Sequence, residues 1–169
     1  MKSNKIIRVI AFLLLFSWMI LIFAMSAQHA NESSQTSGRF VLKVINVLYS
    51  DFENFSVEKQ GNITNTLTFI VRKTAHFLEY FVLGALSAIV AFTFKKGSAF
   101  QKTIGAIIFA VLYAVSDEVH QYFVPGRACR FFDICVDALG CIFAVILIAI
   151  VISAKRRKLG EFNAKKEID

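Results

Sequence analysis

Four stretches of this chain, at about residues 9–25, 67–94, 103–124 and 131–153, are apolar for nearly the length a helix needs to cross a bilayer. That length is about 20 residues, rising about 1.5 Å each across a core about 30 Å thick. A soluble fold of 169 residues could not cover four such segments when 56% of its residues are hydrophobic and only 18% are charged. Lipid offers no partners to a bare backbone, so apolar spans of this length must be helices. The chain therefore reads as one all-α integral membrane domain over residues 1–169, with four transmembrane helices and no internal repeat.

The first span follows Lys2, Lys5 and Arg8. A basic start and small residues near Ser26 also suit a signal peptide, but the apolar run is longer than a signal core, so a retained anchor is expected. Residues 26–66 are polar, with one amphipathic piece at 40–49, where Phe40, Val44 and Leu48 recur at helical spacing. This piece suits the membrane interface. Sequons at Asn31, Asn54 and Asn62 matter only in a eukaryotic secretory pathway. Pro125-Gly126 ends the third span. The tail from Leu159 is expected to be a short, charged, mobile terminus.

Orientation comes from the basic residues. Twelve of the 19 Lys and Arg flank the spans on one side: Lys2, Lys5 and Arg8, then Lys95, Lys96 and Lys102, then six in the tail. The stretch between the first two spans holds only Arg39, Lys43 and Lys59. The positive-inside bias then makes both termini cytoplasmic, residues 26–66 an outer loop and 154–169 a cytoplasmic tail, in a multi-pass plasma-membrane protein. Nucleic acid is not an expected partner despite the net charge of +7, because the positive charges sit at helix ends rather than along a phosphate-tracking stripe.

The remaining ionisable residues gather at the other ends of the spans. Arg72, Lys73, His76 and Glu79 open the second, Asp117, Glu118 and His120 close the third, and Arg127, Arg130, Asp133 and Asp137 precede or open the fourth. By helix rise, Glu79 lies about 24 Å from Lys95, Asp117 about 22 Å from Lys102, and Asp137 about 27 Å from Lys155. The apolar part of the third segment, residues 104–115, is only about 18 Å long, so Asp117, Glu118 and His120 must enter the outer half of the membrane. Charges at that depth are expensive and mark a functional site by default. The fold thus carries a polar cluster at its outer face. Small residues at 84 and 88, at 106, 110 and 114, and at 140 and 144 favour close helix packing.

Several chemistries fit such a cluster. His76 and His120, flanked by Glu79, Asp117 and Glu118, could exchange protons near neutral pH as a tentative catalytic group. Arg72, Lys73, Arg127 and Arg130 could hold a phosphate or carboxylate of an amphipathic substrate. Asp133 and Asp137 either join that pocket or pair with the arginines. A divalent metal is a weaker reading, built on His76-x-x-Glu79 and Asp117-x-x-His120 without a recognised metal signature; the cofactor is otherwise open. Simple pairing of opposite charges to pin the helices is the bland alternative. Cys129, Cys135 and Cys141, spaced six apart, match neither zinc nor disulfide patterns and read as apolar filler. Proton-coupled transport lacks ionisable residues in the cytoplasmic half of any span.

Three motifs then resemble one family. Lys73-Thr-Ala-His76-Phe-Leu-Glu79-Tyr80-Phe-Val-Leu-Gly84 looks like the helix-opening motif of the VanZ-like membrane proteins. Ser116-Asp117-Glu118-Val-His120-Gln121-Tyr-Phe-Val-Pro125-Gly126-Arg127 is similar to their second motif, and Arg130-Phe-Phe-Asp133-Ile-Cys-Val-Asp137-Ala-Leu-Gly140 to their third. Phe23-Ala-Met-Ser26-Ala-Gln28 resembles the end of their first span. Asp137 stands where asparagine is frequent and Arg130 where a small residue is. The resemblance implies a bacterial membrane protein, some of whose relatives lower susceptibility to teicoplanin-class glycopeptides, and adds Tyr80 and Gln121 to the expected substrate-binding set. The expected partners are bilayer lipid and a lipid-linked cell-wall precursor or lipoglycopeptide, bound or modified at the outer face. The alternative is a non-enzymatic interaction or scaffold protein of the cell-envelope machinery.

Overall fold

The computed structural model describes residues 2–166, with side-chain surroundings for residues 5–29 and 37–159. Residues 167–169 of the expected tail, and the side chain of Asn31 in the first sequon, lie outside the described residues. Within that range the chain is all helix, turn and loop: α1 (Lys2–Ser26), α2 (Ala30–Leu48), a 3-10 turn (Phe52–Asn54), α3 (Val57–Thr93), α4 (Ala99–Tyr122) and α5 (Phe131–Lys166). Four of the five α-helices are long and apolar enough to cross a membrane: α1, α3, α4 and α5. The chain is a multi-pass membrane protein.

Three differences from the sequence expectation have local causes. Helix α3 starts at Val57, ten residues before the apolar span, because Ser56 caps it by accepting a hydrogen bond from the Lys59 amide at 3.4 Å. The expected outer loop is therefore mostly helical. In α2 the buried stripe is Val41 and Ile45, both fully buried, while Phe40 is 57% and Leu48 61% exposed, one residue out of the expected register. Helix α5 continues to Lys166, past the residue 153 at which its apolar part ends.

Turns are set by residue chemistry. Ser98 and Gln101 form a reciprocal capping box at the start of α4, after Gly97 has reversed the chain at φ 88°. Val124-Pro125-Gly126-Arg127 is a type II turn: Pro125 supplies the fixed φ, Gly126 takes φ 78°, and the Arg127 amide donates to the Val124 carbonyl at 3.1 Å. That turn folds Arg127 back over the end of the bundle.

Helix α3 is the centre, touching α1, α2, α4 and α5. Helices α1 and α4 run antiparallel to it. Arg8 reaches the Thr93 carbonyl (3.0 Å) and Trp18 the Glu79 carbonyl (3.0 Å), while Tyr80 meets Asp117. Helices α3 and α5 run parallel, with Lys73 beside Asp133, His76 beside Asp137 and Gly84 beside Cys141. This pair approaches closely because Gly84 and Gly140 have no side chain: a Cβ on Gly84 would lie 2.5 Å from the Cys141 carbonyl oxygen. The expected small residues Ala88, Ala106, Ala110, Ala114 and Ala144 are all buried. Around them the large residues turn outward to lipid, among them Leu13, Phe16, Leu112, Phe143 and Ile150.

Candidate functional site

Most of the ionisable residues singled out in the sequence lie near one end of the bundle, where they divide into tied and untied sets. Asp117 is the main tie. Its Oδ2 accepts from the Ser26 hydroxyl of α1 (2.6 Å), the Tyr80 hydroxyl of α3 (2.7 Å) and the Gln121 amide one turn along α4 (3.0 Å). Three helices are thereby joined through one carboxylate. The Gln121 amide also donates to the Ser26 hydroxyl (3.1 Å), and Gln121 Oε1 accepts from Arg127 (3.2 Å). Arg127 continues to the carbonyls of Gln28 (3.0 Å) and Met25 (3.3 Å), satisfying the carbonyl end of α1 where a cation is favoured. Burial, and next the neighbouring Arg72 charge, hold the Arg127 guanidinium below the ordinary arginine value.

Lys73 and Asp133 are also tied. They form an ion pair between α3 and α5, and the Lys73 ammonium lies 5.6 Å from the ring centroids of both Phe69 and Phe132. An exposed pair of this kind is worth little, but here it is partly covered by two aromatic faces.

The untied set is the chemically interesting one. Asp137 is fully buried at the first turns of α5, and its Oδ1 stands 3.5 Å from His76 Nδ1. That is ion-pair reach, yet His76 Nδ1 and both Asp137 oxygens have no hydrogen-bond partner. Glu118, also fully buried, accepts from the Arg130 amide at 3.2 Å through one oxygen and leaves the other unpartnered. Asp117 Oδ1 is likewise unpartnered. Buried polar atoms left without partners cost roughly 1–3 kcal/mol each, so these carboxylates and the imidazole are the groups at this end that the helix contacts leave unsatisfied. Arg72, Glu79 and the Arg130 side chain make no hydrogen bond or ion pair among the described residues.

Two cavities open onto these groups. One, about 300 Å³, is lined by Arg72, Lys73, Arg127, Arg130, Gln121 and Asp133 together with Asn65 and Thr68. The other, about 590 Å³, is walled mainly by Met25, Phe40, Ile70, Val71, Ala75 and Leu78, with His76, Glu79 and Ser26 at its polar edge. Arg72 and Arg127 belong to both.

His120 is placed apart. Its ring stacks on Phe23 of α1 with centroids 4.4 Å apart, its Nε2 is buried without a partner, and it lines neither cavity. Among the described residues, no three His, Cys, Asp or Glu come together as a group able to hold a metal ion. The pairs His76–Glu79 and Asp117–His120 therefore do not assemble into the metal site that their spacing offered. The three cysteines are free thiols, with Cys141 buried under Gly84.

The motifs that carry this geometry match a sequence profile described as VanZ/LLP1 over residues 11–152. The chain belongs to the VanZ/LLP1 family. The match covers most of the first and fourth spans, all of the apolar second and third, α2 and every residue of both cavities, and stops before Arg156. Membership carries the family's association with glycopeptide resistance and gives only the general kind of function to expect. Neither the curated proteins nor the solved structures include a match to this chain.

Ser26 and Phe40 take part here although neither was expected at the site from sequence. Ser26 ties α1 to Asp117 from 91 positions away; its signals were a hydroxyl closing an apolar span and its place in the Phe23–Gln28 stretch that resembles the family's first-span end. Phe40 walls the larger cavity, a role that the amphipathic pattern of α2 hinted at without saying which face met the bundle.

Proposed function

We propose that the shared end of the bundle is an outward-facing site for an anionic, amphipathic envelope molecule such as a lipid-linked cell-wall precursor or a lipoglycopeptide. One observation carries this reading: a cationic cavity and an apolar cavity meet at a common wall formed by Arg72 and Arg127. A ligand with one phosphate or carboxylate and one alkyl chain would fill both. Arg72, Arg127 and Arg130 hold the anionic group, since Lys73 is already neutralised by Asp133. Asn65, Thr68 and Gln121 supply neutral donors, and the chain lies against Phe40, Ile70 and Leu78. Positive-inside bias puts this end at the outer leaflet.

Any proton exchange at the site would fall to His76 and Glu79. His76 turns Nδ1 to Asp137, which orients the ring and leaves Nε2 for a cavity ligand. Glu79 lines the same cavity. Glu118 and Asp117 support the arrangement from α4.

The test is binding of a long-chain alkyl phosphate to the full chain in a neutral detergent, compared with the uncharged alkyl glycoside of equal chain length and with inorganic phosphate. Preference for the alkyl phosphate over both, lost on Arg72→Gln, supports the reading; equal binding of the glycoside, or no effect of Arg72→Gln, rejects it. A second reading, a non-enzymatic scaffold of the envelope machinery, is favoured by the tied set, because Asp117 and the Lys73–Asp133 pair serve mainly to fasten helices.

A further inference from the structure

A third cavity, about 470 Å³, lies at the opposite end of the bundle, where α3 ends and α4 begins. Its cationic lining is Lys95, Lys102 and Arg156, and its apolar lining includes Ile89, Phe92 and Ile152. From Arg72 to Phe92 along α3 is about 30 Å by helix rise, so this pocket is separate from the polar site.

Three cations at this end are held in place by the chain. Arg8 donates to the Thr93 carbonyl (3.0 Å), Lys102 to that of Phe94 (2.7 Å) and Arg156 to that of Phe92 (2.9 Å), so three basic side chains converge on the last carbonyls of α3. Aromatic faces hold them a second time. Arg156 and Lys102 lie 5.6 Å and 5.9 Å from the Phe92 ring centroid, and Arg8 lies 4.8 Å from that of Phe94. Each of these three spends one donor on a carbonyl and keeps others, Arg8 Nε is buried without a partner, and Lys95 stands beside them with no carbonyl of its own among the described residues. Among the described residues, no acidic side chain lines the pocket. The carbonyl end of one helix needs only about half a unit of positive charge. Four cations gathered there repel one another at a low-dielectric boundary, and an anion would relieve them.

From this under-neutralised array we infer a second binding site, for the headgroup of an anionic phospholipid from the leaflet on the side of the two termini. The apolar walls decide for a lipid over a free anion: Ile89 and Ile152 continue the pocket toward the hydrocarbon, where acyl chains would lie. Basic pockets between spans at a cytoplasmic face commonly hold such headgroups. Ile7 and Arg156 lie outside the residues matched by the family profile, so part of this pocket is built from segments the profile does not describe.

The experiment is native mass spectrometry of the full chain in neutral detergent. It is titrated with phosphatidylglycerol, with phosphatidylethanolamine of the same chains, and with inorganic phosphate. Phosphatidylglycerol should be retained at least fivefold over the zwitterionic lipid, and inorganic phosphate should not compete. Lys95→Gln with Lys102→Gln should weaken retention by roughly tenfold to thirtyfold, the order expected for two charges at an anionic surface. Arg157→Gln with Lys158→Gln, the same charge change off the pocket, should leave it unaltered. Ile152→Trp keeps every charge but fills the chain-side wall, and should lower retention even if the lysine variant fails to fold. Equal retention of both lipids, equal loss in the two double variants, or full competition by inorganic phosphate would overturn the proposal. None of these outcomes bears on the site at the other end.

Discussion

Gly140 of α5 lies so close to Phe77 of α3 that a Cβ at position 140 would stand 2.4 Å from the Phe77 carbonyl oxygen and 3.2 Å from the Phe81 amide nitrogen. Backbone cannot yield as a side-chain tip can, so the two helices must separate to admit a methyl group. Gly140→Ala should therefore lower stability by about 1–3 kcal/mol, the usual cost of overpacking. Gly105 has open space around it, and Gly105→Ala should be neutral or stabilising by up to about 1 kcal/mol. Thermal melts of both variants in the same detergent check the contrast; equal melting temperatures would refute the close seam.

Asp117 should prove the costliest single truncation at the polar end. Asp117→Ala strands the Ser26, Tyr80 and Gln121 donors in a buried place, for a loss of about 3 kcal/mol or more. Tyr80→Phe removes one donor and should cost about 1 kcal/mol. Combining the two should be clearly sub-additive in thermal unfolding, since the residues share a bond.

Arg72 and Lys73 are neighbours with different roles. Lys73→Gln leaves Asp133 unpaired and should lower the melting temperature while alkyl phosphate binding falls less than threefold. Arg72→Gln should do the reverse, cutting that binding by roughly tenfold, the size of one charge-assisted contact, at near-normal stability. Paired measurements of binding and melting on each variant decide it.

The two histidines should separate in the same way. His120→Phe keeps a ring against Phe23 and should retain ligand binding and any resistance phenotype at normal membrane abundance. His76→Ala removes the one imidazole that lines the larger cavity among the described residues and should abolish the phenotype. Loss in both variants at normal abundance would mean that His120 participates as well.

Orientation has its own check. Single cysteines at positions 65 and 126, in a background lacking Cys129, Cys135 and Cys141, should be labelled by an impermeant maleimide on intact cells, and a cysteine at 96 only after lysis. The opposite pattern would place the polar end at the cytoplasm.

Much of this architecture could be read from residues alone. Span length follows from apolar runs that lipid requires to be helical, and the common depth of Glu79, Asp117 and Asp137 follows from helix rise. What could not be read is what tertiary contact decides. The 40–49 segment offers two stripes, Phe40-Val44-Leu48 and Val41-Ile45, and only the position of α3 selects the second for burial. Sequence puts His120 one turn from Asp117 but cannot say that Phe23 draws its ring toward α1. Nor does spacing show that Ser26 and Tyr80 converge on one oxygen of Asp117, a meeting of three helices.

Because α3 and α5 run side by side in the same direction, the partners along their seam are made far apart in time. Lys73 waits 60 residues for Asp133, and His76 has no Asp137 until the final span leaves the ribosome and enters the bilayer. A nascent chain halted after α4 would hold the imidazole and the tyrosine–aspartate bond without its last wall. The seam at the polar end is therefore completed only with delivery of the carboxyl-terminal helix.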